Sequence, residues 1–235
     1  DPGAVIDASA SVSEFSSIGA GARIGAGARI GPGCVIGEYA EIGPATTLIG
    51  RVTLYANCRI GARGLIHAGV VIGADGFGFA PDFSGDSGSW VKIPQTGRVI
   101  IGDDCEIGAN TTIDRGAIDD TTIGNDVKLD NQIQIGHNCT VGDHTVISGC
   151  VGIAGSTRIG RHVMIGGAAG AIGHLDICDG ATISAMTLVT KSITEPGVYT
   201  GSMPPMKHQD WLKNVVHLRR LGAMAASIKK QGEAE

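Results

Sequence analysis

A branched aliphatic recurs at every sixth position of this chain, a spacing that neither a helix nor a simple strand produces. The run Ile6, Val12, Ile18, Ile24, Ile30, Ile36, Ile42, Leu48, Leu54, Ile60, Ile66, Ile72 is unbroken. It resumes at Ile101, Ile107 and Ile113, then from Ile123 through Leu129, Ile135, Val141, Ile147, Ile153, Ile159 and Ile165. Ala171, Ile177, Ile183 and Val189 complete it. Helices repeat every 3.6 residues and strands every two. A period of six belongs to the hexapeptide repeat of a parallel β-helix, in which three repeats make one triangular coil of about 18 residues.

The expected fold is therefore an all-β solenoid whose aliphatics point inward and stack from coil to coil. Repeats of this type resemble left-handed coils in known proteins, although spacing alone does not set the hand. Gly follows the aliphatic very often, as at Gly19, Gly25, Gly31, Gly37, Gly108 and Gly160, where a corner is expected to need small or permissive residues. Asn57, Asp103, Asn125 and Asp143 are expected to serve the same turns. A narrow interior also explains why only 4% of the residues are aromatic.

The repeat carries through residues 1–202, which are expected to form one domain despite a length of 235 residues. Two interruptions stand out. Between Ile72 and Ile101 the rhythm is lost over about 73–100, a segment holding Phe77, Phe79, Phe83 and Trp90. It is expected to be a loop extruded from the coil, serving either as a flap over a ligand or as a contact to another subunit. Four extra residues, Asp114-Arg115-Gly116-Ala117, fall between Ile113 and Ile123.

Residues 203–235 change class. Met203-Pro204-Pro205 ends the repeat, and Trp211, Val215, Leu218, Leu221, Ala225 and Ile228 recur at helical spacing from about Lys207 to Lys230. An amphipathic α-helix is expected to cap the solenoid. From Met203 onward six Lys or Arg stand against three acids, a net of +3, which leaves −8 on the preceding residues of a chain at −5 overall. A basic tail on an acidic body suits an acidic partner, with a solvated helix face as the alternative.

Other classes fit poorly. Nucleic acid is disfavoured by the negative total and by the lack of interleaved aromatic and basic residues. There is no Walker A sequence, and the Gly-x-Gly strings follow the hexad rather than a dinucleotide fingerprint. Cys34, Cys58, Cys105, Cys139, Cys150 and Cys178 have no zinc-ligand spacing and read as reduced fillers of core and turns. A β-helix carbonic anhydrase would need two of its three metal-binding histidines five residues apart, a spacing no His pair here has. No apolar run is long enough to span a bilayer and no signal peptide is recognisable, so a cytoplasmic protein is expected. The chain starts at Asp1, without Met and already in phase, which suggests a preceding N-terminal part.

Proton-transfer chemistry must come from His67, His137, His144, His162, His174, His208 or His217. His137 is the informative one, in Asp130-Asn131-Gln132-Ile133-Gln134-Ile135-Gly136-His137-Asn138. With Ile133 and Ile135 inward, His137 falls near a corner, and Gly155, 18 residues on, falls one coil above it at about 4.8 Å. An imidazole base beside a glycine amide can serve acyl transfer, one taking a proton and the other donating to an oxyanion.

Asp114-Arg115-Gly116, the stretch through His137-Asn138, Gly173-His174-Leu175-Asp176-Ile177-Cys178 and Ile193-Thr194-Glu195-Pro196-Gly197-Val198-Tyr199 closely resemble the LpxD family, the UDP-3-O-(3-hydroxyacyl)glucosamine N-acyltransferases of lipid A biosynthesis. The aromatic insertion, with Gly76-Phe77-Gly78-Phe79 and Trp90-Val91-Lys92-Ile93-Pro94, extends the resemblance to nearly the whole chain. It implies transfer of a 3-hydroxyacyl chain from the phosphopantetheine arm of acyl carrier protein to the 2-amino group of UDP-3-O-acylglucosamine, with no metal or bound cofactor. It implies His137 as general base, Asp130 as the acid orienting it, the Gly155 amide as oxyanion donor and His174 as a supporting histidine. Asn131 and Gln134 would help hold the arm, and Leu188 falls where the family sets acyl-pocket depth. The family forms homotrimers with sites between subunits and receives carrier protein on its C-terminal helices; its N-terminal uridine-binding domain is not in this sequence. The sister O-acyltransferase acting on UDP-N-acetylglucosamine and a non-catalytic β-helix scaffold are the alternatives, and the aromatic insertion and Asp114-Arg115-Gly116 favour the N-acyl enzyme.

Overall fold

The structure, a computed structural model, describes residues 1–84 and 88–232. It comprises two units, Asp1–Ser202 and Met203–Glu235. The first is the β-solenoid, built from three parallel sheets of nine, ten and nine strands, most of them only two residues long. Successive strands go to different sheets, so each sheet gains one strand per coil. Register follows the hexad: Ile24 pairs with Ile42, Ile147 with Ile165 and Ile135 with Ile153, all 18 residues apart.

Burial follows the same rhythm. From Ile18 to Val189 every sixth-residue slot is buried, and Ile30, Ile60, Ile107 and Ile135 are almost wholly enclosed. Ile6 and Val12, in the first coil, are exposed. Each core residue stacks on the coils either side, so trimming one to Ala should cost about 2 to 5 kcal/mol.

Of the two reasons expected for the glycines after the aliphatics, small size is the one at work and not a permissive φ. A Cβ on Gly19 would lie 2.7 Å from the Glu38 nitrogen, and one on Gly25 would lie 2.8 Å from the Pro44 nitrogen. The next coil's backbone passes too close for a side chain. Left-handed φ occurs two residues later and is carried mostly by non-glycines such as Tyr39, Asn57, Asp126 and His144. Asp103, Asn125 and Asp143 instead accept neighbouring-coil amides: Asp103 from Ala62 N at 2.8 Å, Asn125 from Asp103 N at 2.8 Å and Asp143 from Asn125 N at 2.6 Å.

Both interruptions leave the stacking intact. Arg59 pairs with Ile100 and Ile101 with Ile123, steps of 41 and 22 residues in place of 18. The first insertion contains an antiparallel hairpin of Phe79–Asp82 with Ser89–Lys92. Its base is clamped by Arg115, whose guanidinium donates to Gly73 O at 2.7 Å and Ala56 O at 3.1 Å.

The second unit carries the helix His208–Gly232. Trp211, Leu218 and Leu221 are exposed on it. Among the described residues no helix is long and apolar enough to cross a membrane.

Candidate active site

Both insertions converge on His137. A cleft of about 560 Å³ is lined by Asp75, Phe77 and Lys92 of the first insertion, and by Asp114, His137 and Gly155 of the coils. The ring is held between two glycines. A Cβ on Gly155 would lie 2.5 Å from His137 Nε2, and one on Gly76 would lie 2.7 Å from His137 Cβ. Any side chain at either position would displace the imidazole.

The tautomer follows from the other nitrogen. His137 Nδ1 lies 3.0 Å from Asn138 Oδ1. That oxygen also accepts Ala117 N–H at 2.9 Å, while Asn138 Nδ2 donates to Asp119 O at 3.1 Å, which fixes the amide orientation. Nδ1 therefore donates, and in the neutral ring Nε2 holds the lone pair, as a general base requires. Ala117, the last of the extra residues, and Asp119, just after it, thus hold the amide that orients the ring.

The Gly155 amide is available. In the same hexad position the amides of Ala62, Ala109 and Arg161 are capped by Asp103, Asn131 and Asp179. Among the described residues no acceptor lies on Gly155 N–H. A bare donor against a bare base is the pair that acyl transfer needs.

Polar groups complete the cleft. Asp114 Oδ2 accepts from Gln134 Nε2 at 2.8 Å, and Gln134 Oε1 accepts from Thr112 Oγ1. Burial raises the Asp114 pKa above the usual carboxylate value, opposed by the Gln134 hydrogen bond and the nearby His137. Lys92 pairs with Asp75.

The structure brings His137, Gly155 and Gln134 together. Asp130 is not their neighbour in a single chain. Its carboxylate accepts Asn131 N–H at 2.8 Å and Gly149 N–H at 2.9 Å, and Asn131 caps Ala109 N–H at 2.7 Å. Seven residues exceed one flat side by one, which moves Asp130 to the preceding corner and into a second cleft with His67, Lys128, Asn131 and Ser148. Asn138, which the sequence reading left without a role, is the orienting group within the chain. His174 contributes its backbone N–H to Gly155 O at 3.0 Å.

Leu188 ends a row. Gln134 pairs with Gly152, Gly152 with Gly170, and Gly170 with Leu188. Outward positions alternate with the buried aliphatics, so two glycines leave a bare trough beside the base. Gln134 and Leu188 stand three strand steps, about 14 Å, apart, and the Leu188 side chain reaches back toward Gly170.

Repeat and fold together define a hexapeptide-repeat β-solenoid. Two family descriptions match: bacterial transferase hexapeptide (six repeats), over residues 15–50 and 120–155, and hexapeptide repeat of succinyl-transferase, over 98–131 and 156–191. The UDP-3-O-acylglucosamine N-acyltransferase of Herminiimonas arsenicoxydans is 54% identical over 191 residues, 81% of this chain and 53% of that protein. Its namesake in Coxiella burnetii (strain RSA 493 / Nine Mile phase I) is 55% identical over 183 residues, 78% of this chain and 53% of that protein. Among solved structures, the UDP-N-acetylglucosamine acyltransferase of Francisella novicida aligns with TM-score 0.66 at 28% identity, covering 89% of this chain and 73% of that one. The chain belongs to the UDP-3-O-acylglucosamine N-acyltransferase family and spans about half the length of the relatives it matches.

Proposed function

We propose that this chain is the catalytic part of an N-acyltransferase that moves a 3-hydroxyacyl group from acyl carrier protein to the 2-amino group of UDP-3-O-(3-hydroxyacyl)glucosamine. The observation that carries this reading is His137 Nε2 lying against Gly155, whose N–H has no acceptor among the described residues. The amine nitrogen attacks the thioester carbon as His137 Nε2 takes one of its protons. The carbonyl oxygen gains charge and is stabilised by Gly155 N–H. The N–C bond forms, the C–S bond breaks, and the imidazolium returns its proton to the departing phosphopantetheine sulfur. His174 supports Gly155 through its backbone. No metal or bound cofactor enters these steps.

The trough over Gly152 and Gly170 suits the transferred acyl chain, with Leu188 as its end. Asp130 and Asn131 enter in a homotrimer, where their corner on one subunit faces the His137 cleft of the next. The basic tail, with Lys207, Lys213, Arg219 and Arg220, suits the acidic carrier protein, in the cytoplasm near the inner membrane face. The test is transfer from 3-hydroxyacyl carrier protein at saturating nucleotide substrate, comparing the chain with His137→Ala. A loss of about 100-fold to 10,000-fold with the fold retained is expected. Activity on UDP-N-acetylglucosamine alone would instead support the O-acyltransferase, and unchanged turnover in the variant would remove His137 as base.

A further inference from the structure

The cleft holds a carboxylate that the proton-transfer steps above do not use. Asp114 lines it together with His137, close enough for the two charges to interact. Only one of its oxygens is engaged: Oδ2 accepts from Gln134 Nε2 at 2.8 Å, while Gln134 is itself held by Thr112. Among the described residues Oδ1 has no hydrogen-bond donor. Arg115, the adjacent cation, is turned away to the carbonyls of Gly73 and Ala56, and Lys92 is paired with Asp75.

Asp114 and His137 line one cleft with Gly155, and among the described residues neither Asp114 Oδ1 nor His137 Nε2 has a hydrogen-bond partner. We infer that Asp114 is the residue that makes this site select an amine over a hydroxyl as the acyl acceptor. The inference rests on the N-acyltransferase reading and adds the means of discrimination. A primary amine carries two hydrogens and one lone pair. With one N–H on His137 Nε2 and the other on Asp114 Oδ1, the lone pair is left to point at the thioester carbon. A hydroxyl has one hydrogen. Once that is given to the base, its oxygen lone pairs face the carboxylate, and a buried acceptor is left unpaired beside like charge. Sites built around a substrate N–H commonly reject the analogue lacking it by about 10,000-fold. Asp114 touches the nucleophile but takes no proton from it.

The experiment uses the full chain with two acceptors, UDP-3-O-acylglucosamine and its 2-hydroxy counterpart UDP-3-O-acylglucose, and compares kcat/KM for each. In Asp114→Asn, the amide oxygen stays on Gln134 Nε2, so an N–H donor takes the place of Oδ1. That group opposes an amine N–H and welcomes a hydroxyl oxygen. The amine-to-hydroxyl ratio should fall at least about 100-fold. Asp114→Ser, which removes the carboxylate and leaves room for water, should lower the ratio as well and reads the same question if the Asn variant fails to fold. An unchanged ratio in either folded variant, with the parent active on the amine, overturns the role of Asp114 and leaves the N-acyl reading standing. A parent that turns over only the hydroxyl acceptor overturns both.

Discussion

The imidazole of His137 lies directly on Gly155: a methyl group on that glycine would sit 2.5 Å from Nε2 and 2.7 Å from Cε1. Gly155 has no left-handed φ, so its backbone accepts alanine. The cost of Gly155→Ala therefore falls on the ring. Pushing the imidazole off the Gly155 N–H by about 1 Å should lower kcat/KM by about 100-fold or more, with little change in melting temperature. Near-parental turnover would mean that the ring works from a different position.

Within the chain, Asn138 is the side chain that orients this histidine. Asn138→Ala removes the acceptor that keeps the proton on Nδ1, and strands Ala117 N–H and Asp119 O. A fall of about 10-fold to 100-fold in kcat/KM, roughly 1.4 to 2.7 kcal/mol of barrier, is expected, together with about 1 to 3 kcal/mol of stability. Asn138→Asp separates the two effects. It keeps the acceptor but sets a carboxylate on Nδ1–H, which favours the imidazolium. Because the proposed base acts in its neutral form, the acid limb of the pH–rate profile should move to higher pH. A limb that stays in place would exclude control through Nδ1.

The solenoid is legible in the sequence because one steric rule, an aliphatic inside each flat side, repeats at fixed spacing. His137 and Gly155 are legible for the same reason: residues 18 apart stack. What escapes is contact outside that period. Gly76 covers His137 from 61 residues upstream, and nothing in the aromatic segment states which corner it closes over. Asn138 is adjacent in sequence, yet its orientation depends on Ala117 of the four-residue interruption and on Asp119 just after it. Asp130, seven residues before His137, lies on a different corner of the same chain because a short sequence distance can cross a corner in this fold. The glycines after each aliphatic are legible as corner residues, while their cause, backbone crowding from the next coil, requires the register.

The outward row Gln134, Gly152, Gly170, Leu188 gives a prediction about chain length. A Cβ on Gly152 would meet nothing within 4 Å, so substitution there fills the trough without disturbing the coil. Gly152→Leu should lower kcat/KM for long donors at least about 10-fold while shorter donors are spared, since each misfit methylene is worth about 1 to 3 kcal/mol. Leu188→Ala should move the optimum to longer chains. A donor-length profile unchanged in both variants would mean that the acyl chain lies elsewhere.

The thiols should separate by burial. Burial pushes the Cys139 thiol up to about 11 and raises Cys34, Cys58 and Cys105 as well. Cys150 is exposed and Cys178 half-buried. The thiolate is the nucleophile, so native protein treated with iodoacetamide at pH 8 should gain its first adduct at Cys150. Cys34, Cys58, Cys105 and Cys139 should react only after denaturation. Early labelling of any of those four, located by peptide mass, would mean that the coil around it opens readily.

The last prediction concerns Asp114 and pH. Burial raises its pKa and the hydrogen bond from Gln134 lowers it, with His137 acting in the same direction as Gln134. Asp75 and Lys92, the other charged groups lining the cleft, are paired with each other. If Asp114 must be ionised to accept the amine N–H and His137 must be neutral to accept the proton, both groups switch the enzyme off in acid. The slope of log kcat/KM against pH should then steepen from one proton to two below the lower of the two pKa values. Gln134→Leu removes a donor that favours the carboxylate, so the Asp114 pKa should rise further and the steepening should begin at higher pH. Asp114→Asn should abolish it and leave a one-proton limb from His137. Raised pKa also means that ionised Asp114 opposes folding at neutral pH. Asp114→Asn should therefore melt no lower than the parent while losing amine transfer. A parent limb that never steepens, or a variant that melts well below it, would show that this carboxylate serves the fold and not the acceptor.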